Sequence, residues 1–213
     1  MLEKDIPDLN IFMMCKKVNE NAFRDIPDGF YLRTCRKDEL AIWKTFPFDN
    51  EADQQHYFDD MSEYFENVYL PWEEAFYQSC LFICDENDHP VATCFLWKAY
   101  QEVYTIHWLK VLKEYEGLGL GRAILTSVMK NLPDEYYPIY LHTQPGSFRA
   151  IKLYTDFGFE ILTDEKIGHR DNHYQEVLKY LAYFMKDHYK RLKFTKSDGT
   201  LSEIARQSEI NQF

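Results

Sequence analysis

At 213 residues the chain is sized for one domain with appendages, and its 46% hydrophobic and 17% aromatic content excludes intrinsic disorder. Lys+Arg 24 against Asp+Glu 35 leaves a net charge of −11, which argues against nucleic acid as a partner, because phosphate neutralisation demands a basic footprint. Five cysteines, odd in number and without paired spacing, read as buried free thiols rather than a metal site or a disulfide framework.

In chain order, the opening run Met1 to Asp8 is charged where a secretion signal would be apolar, and no run of about 18 apolar residues offers a membrane span. A soluble, cytoplasmic protein with no membrane partner is the expectation. Two Ile-Pro-Asp turns, at 6–8 and 26–28, flank the apolar stretch from Ile11 to Cys15, which reads as a short extra strand ahead of the main domain. Phe30 to Cys35 predicts a strand. Leu40, Trp43 and Phe46 then share one face of a short helix over 38–46. Over 51–69, Tyr57, Phe58, Met61, Tyr64, Phe65 and Val68 recur at spacings of three and four, which predicts one amphipathic helix with an acidic outer face.

Leu81 to Cys84, Val91 to Ala99 and Val103 to Leu112 predict strands, the first two joined by the turn-rich cluster at 85–90. A helical pattern runs from Ala123 to Leu132, Ile139 to Thr143 is a strand, Ser147 to Asp156 a helix, and 157–162 a strand. From residue 30 the order is β, α, α, β, β, β, α, β, α, β: antiparallel strands followed by one βαβ crossover. That predicts an α+β fold, a mixed and mostly antiparallel central sheet flanked by helices. An extra N-terminal strand and C-terminal helices near 174–193 and 200–208 are added to it. The expected division is an N-terminal extension 1–29, a core 30–162 and a C-terminal helical extension 163–213.

Between a strand and a helix stands Gly117-Leu-Gly-Leu-Gly121. Glycines alternating at a helix N-terminus present bare N–H groups at the positive end of the helix dipole, a cradle for phosphate oxygens. The familiar nucleotide motifs fail here. Counted from Gly117 the sixth residue is Arg122, counted from Gly119 it is Ile124, and no Gly-Lys followed by Ser or Thr occurs.

The run from Leu109 to Leu125 resembles instead the acetyl-CoA motif of the GNAT superfamily of N-acetyltransferases. There a strand ending Leu-x-Val is followed by Gln/Arg-x-x-Gly-x-Gly/Ala opening a helix. Ser147-Phe-Arg-Ala-Ile-Lys-Leu-Tyr-Thr-Asp-Phe-Gly-Phe159 resembles the second motif, Asn-x-x-Ala-x-x-Leu-Tyr-x-x-x-Gly-Phe, and the resemblance covers roughly 30–162. It implies acetyl-CoA as cosubstrate, its pyrophosphate held by the backbone N–H groups of Gly117, Leu118, Gly119, Leu120, Gly121 and Arg122. It implies further that the main chain at Leu109 and Val111 pairs with the pantetheine arm and polarises the thioester carbonyl, and that Tyr154 is the general acid for the departing thiolate. Two positions depart from the pattern. Glu116 replaces Gln or Arg, which weakens cofactor binding if its carboxylate faces the phosphates; Ser147 replaces Asn and offers part of an amide's hydrogen bonding.

The motif does not supply the base that deprotonates the amine. His107, two residues before Leu109 and expected on the same strand face, is the first candidate; Glu102, His142 and a water relay are rivals. His169 and His173 are discounted as a metal pair, because Arg170-Asp-Asn172 between them reads as a loop, and no metal is expected. The function implied is N-acetyl transfer from acetyl-CoA to a primary amine of a small molecule or peptide, by direct attack in a ternary complex. The alternative from another class is a non-catalytic acyl-CoA-binding sensor or interaction module. The acceptor is expected between the first helices and the strands near 100–109, with Trp72, Glu73 and Glu74 as a lip. The apolar stripe of the long C-terminal helix offers a surface for a homodimer.

Overall fold

The computed structural model describes residues 1–213. Ten strands form: β1 Ile11–Cys15, β2 Phe30–Thr34, β3 Leu81–Asp85, β4 Pro90–Ala99, β5 Val103–Val111, β6 Ile139–Thr143, β7 Glu160–Leu162, β8 Lys166–Ile167, β9 Arg170–Asp171 and β10 Phe194–Thr195. All but β8 and β9, which make their own hairpin, join one sheet in the order β10-β7-β1-β6-β5-β4-β3-β2. Its neighbours are antiparallel except β5 with β6 and β10 with β7. The mixed, mostly antiparallel sheet read from the element order is therefore present.

Eight α-helices accompany the sheet: α1 Leu40–Thr45, α2 Glu51–His56, α3 Phe58–Val68, α4 Glu73–Ser79, α5 Leu120–Met129, α6 Phe148–Phe157, α7 Tyr174–Met185 and α8 Thr200–Gln207. Strand side chains alternate between faces, and the core divides accordingly. Helices α5, α6 and α7 bury Ile124, Ile151, Phe157 and Leu181 against one face; α1, α3, α4 and α8 bury Trp43, Phe65, Phe76 and Leu201 against the other.

β1 corrects the idea of an N-terminal extension. It lies inside the sheet between β7 and β6, with every residue buried: Ile11, Met13 and Cys15 face α5–α7, while Phe12 and Met14 face the opposite side. A strand covered on both faces is apolar throughout rather than alternating, which is why Ile-Phe-Met-Met-Cys needs no polar partner positions. From the other end of the chain, β10 pairs in parallel with β7 and adds the last strand. Both expected extensions thus contribute to the central sheet.

Two predicted helices are broken, each for a local reason. The one over 51–69 splits at Tyr57, whose ring stacks on Phe48 at 5.1 Å; the preceding Glu51–His56 segment has no residue buried. The one over 174–193 stops at Met185, and Lys186 takes φ 53. The chain then tightens into a 3-10 turn that brings His188 and Arg191 to 3.3 and 2.9 Å from Asp156.

The sheet parts in one place. β5 and β6 pair only at Tyr104 with Ile139 and at Thr105 with Tyr140, after which the two strands diverge. The β5 side of this gap is braced by Trp43, which meets Phe65, Tyr69, Phe76 and Trp108 edge-on at 5.1–6.2 Å. Each such pair contributes about 0.5–1.5 kcal/mol beyond area burial.

Candidate active site

β5 sets the geometry. Phe95 pairs with His107 while Thr93 pairs with Lys110, so Trp108 and Leu109 together oppose the single residue Cys94. This is a β-bulge, and Trp108 holds it at φ 53, a rare conformation for a bulky side chain. The bulge resets the alternation. His107 and Trp108 both turn toward the aromatic cluster of α1, α3 and α4, whereas Leu109 and Val111 pack on the α5–α6 side.

His107 is therefore corrected: it does not share a face with Leu109, because the bulge inserts a residue between them. Its side chain is 3% exposed. The Tyr69 hydroxyl accepts from Trp108 Nε1 at 2.9 Å and shares a hydrogen bond with His107 Nδ1 at 2.5 Å. The other ring nitrogen, Nε2, is sealed and unpaired. Burial holds its pKa down to about 3. Sealed among aromatic rings and disfavoured in its charged form, His107 is poorly suited to take a proton from an amine.

Tyr154 stands on the other face, packed against Phe159 and 6% exposed, so the two residues expected to act together are not brought together. Burial and the neighbouring Cys94 push its phenol well above the ordinary range. Ala150, one helical turn before Tyr154, and Leu153 beside it line an open cleft of about 850 Å³.

The cleft lies along the open edge of β5. The Leu112 amide donates to Val91 on β4 at 2.9 Å. Strand alternation then turns the amides of Val111 and Leu109 away from β4, toward the edge that β6 has left. Both residues line the cleft.

At its end sits the glycine turn. Gly117 and Gly119 have φ of 81° and 85°, which side chains rarely adopt, and a Cβ at either would meet no protein atom. The backbone, not crowding, demands glycine there, and the space above it stays open. The amides of Gly117, Leu118, Gly119, Leu120 and Gly121 donate to no protein group. Arg122 is corrected in this respect: its amide donates to the Gly119 carbonyl at 3.1 Å, while its guanidinium turns to Asp156 at 2.6 Å. The Leu118 side chain is 50% exposed and belongs to no wall of the cleft. Five successive unpaired N–H groups opening α5 fit a pyrophosphate, and the unpaired edge of β5 fits an amide-bearing arm.

Glu116 does face the cleft, and Ser147 lines it as well. Arg149 answers Glu116 at 3.6 Å, so its carboxylate does not stand alone beside the amides. Arg149 is also held by Glu3, at 3.0 and 3.3 Å through two oxygens. Lys110 meets Asp49 at 2.5 Å. Glu3, Asp49, Arg149 and Lys152 were not singled out in the sequence. For Arg149 and Lys152 the signal was available, since both sit at a spacing of three inside the second motif; for Glu3 and Asp49 there was none. Trp72, Glu73 and Glu74 are not part of this cleft: Lys37 pairs with the two carboxylates, at 3.5 and 3.0 Å, and the indole is half exposed. His169 and His173 spend their rings on the Arg206 carbonyl and the Asn10 amide.

A sheet opened beside a bulged strand runs here into an unpaired glycine turn at a helix N-terminus. The acetyltransferase (GNAT) family model matches residues 39–159. The chain belongs to that family. Among solved structures, a tandem GNAT protein from the clavulanic acid biosynthesis pathway aligns with a TM-score of 0.51 at 11% identity, over 73% of this chain and 50% of that one. A GCN5-related N-acetyltransferase from Sphaerobacter thermophilus gives 0.49 at 18% identity, over 73% and 49%. A GNAT-family acetyltransferase from Colwellia psychrerythraea gives 0.49 at 16%, over 73% and 53%. The chain thus spans about half the length of each of these structures, and the likeness speaks to fold alone. No curated protein matches it in sequence. No helix is long and apolar enough to cross a membrane.

Proposed function

We propose that the protein transfers the acetyl group of acetyl-CoA to a primary amine of a small molecule or peptide, by direct attack within a ternary complex. The observation that carries this reading is the row of five unpaired amides from Gly117 to Gly121, continuous with the open edge of β5 in one cleft. Acetyl-CoA supplies an acetyl thioester, already activated toward an amine. The chain's own residues do the rest. The five amides and the N-terminus of α5 bind the pyrophosphate. The main chain at Leu109 and Val111 orients the pantetheine arm as an added strand, and a backbone amide there is placed to stabilise charge on the carbonyl oxygen. Glu116 and Ser147 line the same cleft, the first neutralised by Arg149.

Tyr154 holds a proton for the leaving thiolate. Burial keeps the phenol protonated and so available as a donor, and the same dry surroundings raise the basicity of a thiolate formed beside it. His107 has no part in this scheme.

A thermal melt with acetyl-CoA, set against a nucleotide lacking the pantetheine arm, tests the cofactor. Ligand at about a hundred times its Kd adds about 2.7 kcal/mol, a rise of about 5–10 °C for a chain of this length. No rise at millimolar acetyl-CoA would remove the reading. A rise without coenzyme A release from any amine would mark a binding module instead. Tyr154→Phe should keep the rise and lose about a hundredfold in turnover, within the range of general acid catalysis; unchanged turnover would strip Tyr154 of its role.

A further inference from the structure

Consecutive residues of a strand normally point to opposite faces of its sheet. His107 and Trp108 do not. Both turn to the aromatic side, and one hydroxyl meets both: Tyr69 accepts from Trp108 Nε1 at 2.9 Å and bonds His107 Nδ1. The far ring nitrogen of His107 has no partner, so Tyr69 is the sole polar anchor of the two side chains. The anchor is itself fixed. Tyr69 closes α3, its amide donates to the Phe65 carbonyl at 2.9 Å, and its buried ring lies 4.9 Å from those of Phe76 and Trp97. Burial pushes the phenol well above its ordinary range, so the hydroxyl keeps its proton and stays neutral.

What the bulge decides is the register of β5. Beyond it, Val91 accepts from the Leu112 amide and Thr93 pairs with Lys110. Val91 and Thr93 thus turn their polar groups toward β5, and whichever residue stands opposite either one gives its amide to β4. Before the bulge, Phe95 pairs with His107. A regular strand carried on from that pair would set Leu109 opposite Thr93 and Val111 opposite Val91. Both amides would then be spent on β4, and the edge beside the cleft would present those of Lys110 and Leu112, one residue out of step with the glycine turn. The regular strand is also the local default, because Trp108 at φ 53 is in a conformation that bulky side chains rarely adopt. The outward amides of Leu109 and Val111 therefore depend on whatever keeps Trp108 in the bulge.

We propose that Tyr69 is a positioning residue for the acyl donor: its hydroxyl, by holding His107 and Trp108 on one face, keeps the β5 register in which the Leu109 and Val111 amides face the pantetheine arm and the thioester. This deepens the acetyl-transfer reading and rests on it. Tyr69 touches neither cofactor nor acceptor in this role. It acts through Trp108, and His107 serves as the second tether of the same hydroxyl.

Calorimetry on Tyr69→Phe tests the role, since the ring stays and only the hydroxyl goes. The Kd for acetyl-CoA should rise about tenfold, the worth of one or two misplaced amide hydrogen bonds. The Kd for ADP, which carries a diphosphate without the pantetheine arm, should stay within about twofold. A hydroxyl that only stabilised the fold would not separate the two ligands. Trp108→Phe removes the donor at the other end of the same hydrogen bond and should reproduce the loss, and the double variant should lose no more than either single one. Equal losses for acetyl-CoA and ADP, an unchanged Kd for acetyl-CoA, or losses that add in the double variant would each overturn the assignment. Where Tyr69→Phe fails to fold, Trp108→Phe carries the comparison of the two ligands alone. Wild-type protein that binds no acetyl-CoA at millimolar concentration removes the acetyl-transfer reading and this assignment together; wild-type binding followed by any of the three contrary results removes the assignment alone.

Discussion

Glu3 and Arg149, 146 positions apart, close a two-armed ion pair at 3.0 and 3.3 Å on the wall of the cofactor cleft. Arg149 holds the Glu3 carboxyl below its usual range, and Glu116 approaches the same guanidinium at 3.6 Å. Arg149, one of the cations lining this cleft, is therefore occupied twice by the protein's own carboxylates. On the proposed acetyl-CoA reading, a cofactor phosphate competes with them. Glu3→Gln frees one arm of Arg149 and should lower the Kd for acetyl-CoA by about threefold to tenfold, with a steeper salt dependence, read by calorimetry at two ionic strengths. An unchanged Kd would mean that Arg149 does not meet the cofactor.

The glycine turn separates backbone strain from ligand contact. Gly119→Ala places a Cβ in open space but at φ 85°, so stability should fall by only about 1–2 kcal/mol in urea unfolding. The same methyl group enters the space above the unpaired amides, and acetyl-CoA affinity should fall by about tenfold or more. Gly158→Ala is the contrast. There φ is 98° and the Cβ would stand 2.9 Å from the Lys17 carbonyl, far from the cleft; stability should drop by more than for Gly119→Ala, with affinity kept.

Much of this was legible in the sequence because it is written in local patterns. The strands from Phe30 to Thr34 through Glu160 to Leu162, the helices α5 and α6, and the glycine turn each carry their own periodicity or turn chemistry. What was not legible depends on partners far along the chain. The place of β1 in the middle of the sheet follows from pairing with β6 and β7, more than a hundred residues away. Strict alternation puts His107 on the face of Leu109, and nothing in Ile-His-Trp-Leu announces the bulge that turns it away. Arg149 and Lys152 were visible in the second motif but had no stated role until the cleft placed them. Glu3 gave no signal, since a lone glutamate near a terminus looks like any solvated charge.

Asp156 ties the C-terminal segment to the core. On the outer side of α6 it gathers Arg122 at 2.6 Å, Arg191 at 2.9 Å and His188 at 3.3 Å. Removing the carboxylate these groups share leaves two guanidinium groups, Arg122 and Arg191, without it. Asp156→Ala should therefore cost about 2–3 kcal/mol in chemical denaturation. Proteolysis should reach the 3-10 turn at 186–191 first, while the melt shift with acetyl-CoA persists. A variant that lost cofactor binding along with stability would place Asp156 in the site rather than behind it.

The buried imidazoles set the acid limit of stability. His107 and His142 both have folded-state pKa values lowered to about 3 from 6.5, chiefly by burial. A lowered value means that the unfolded chain binds the protons first, so the stability is complete above pH 6.5 and is lost as the pH falls toward 3. At pH 5, about 1.5 pH units below the unfolded pKa, each ring costs about 2 kcal/mol. The urea midpoint should thus decline steadily from pH 7 to pH 5. His107→Gln replaces the titrating ring with a neutral amide that can still accept from Tyr69, and it should remove about half of that decline, even if its stability at pH 7 is lower. An unchanged slope would show that His107 does not contribute to the decline.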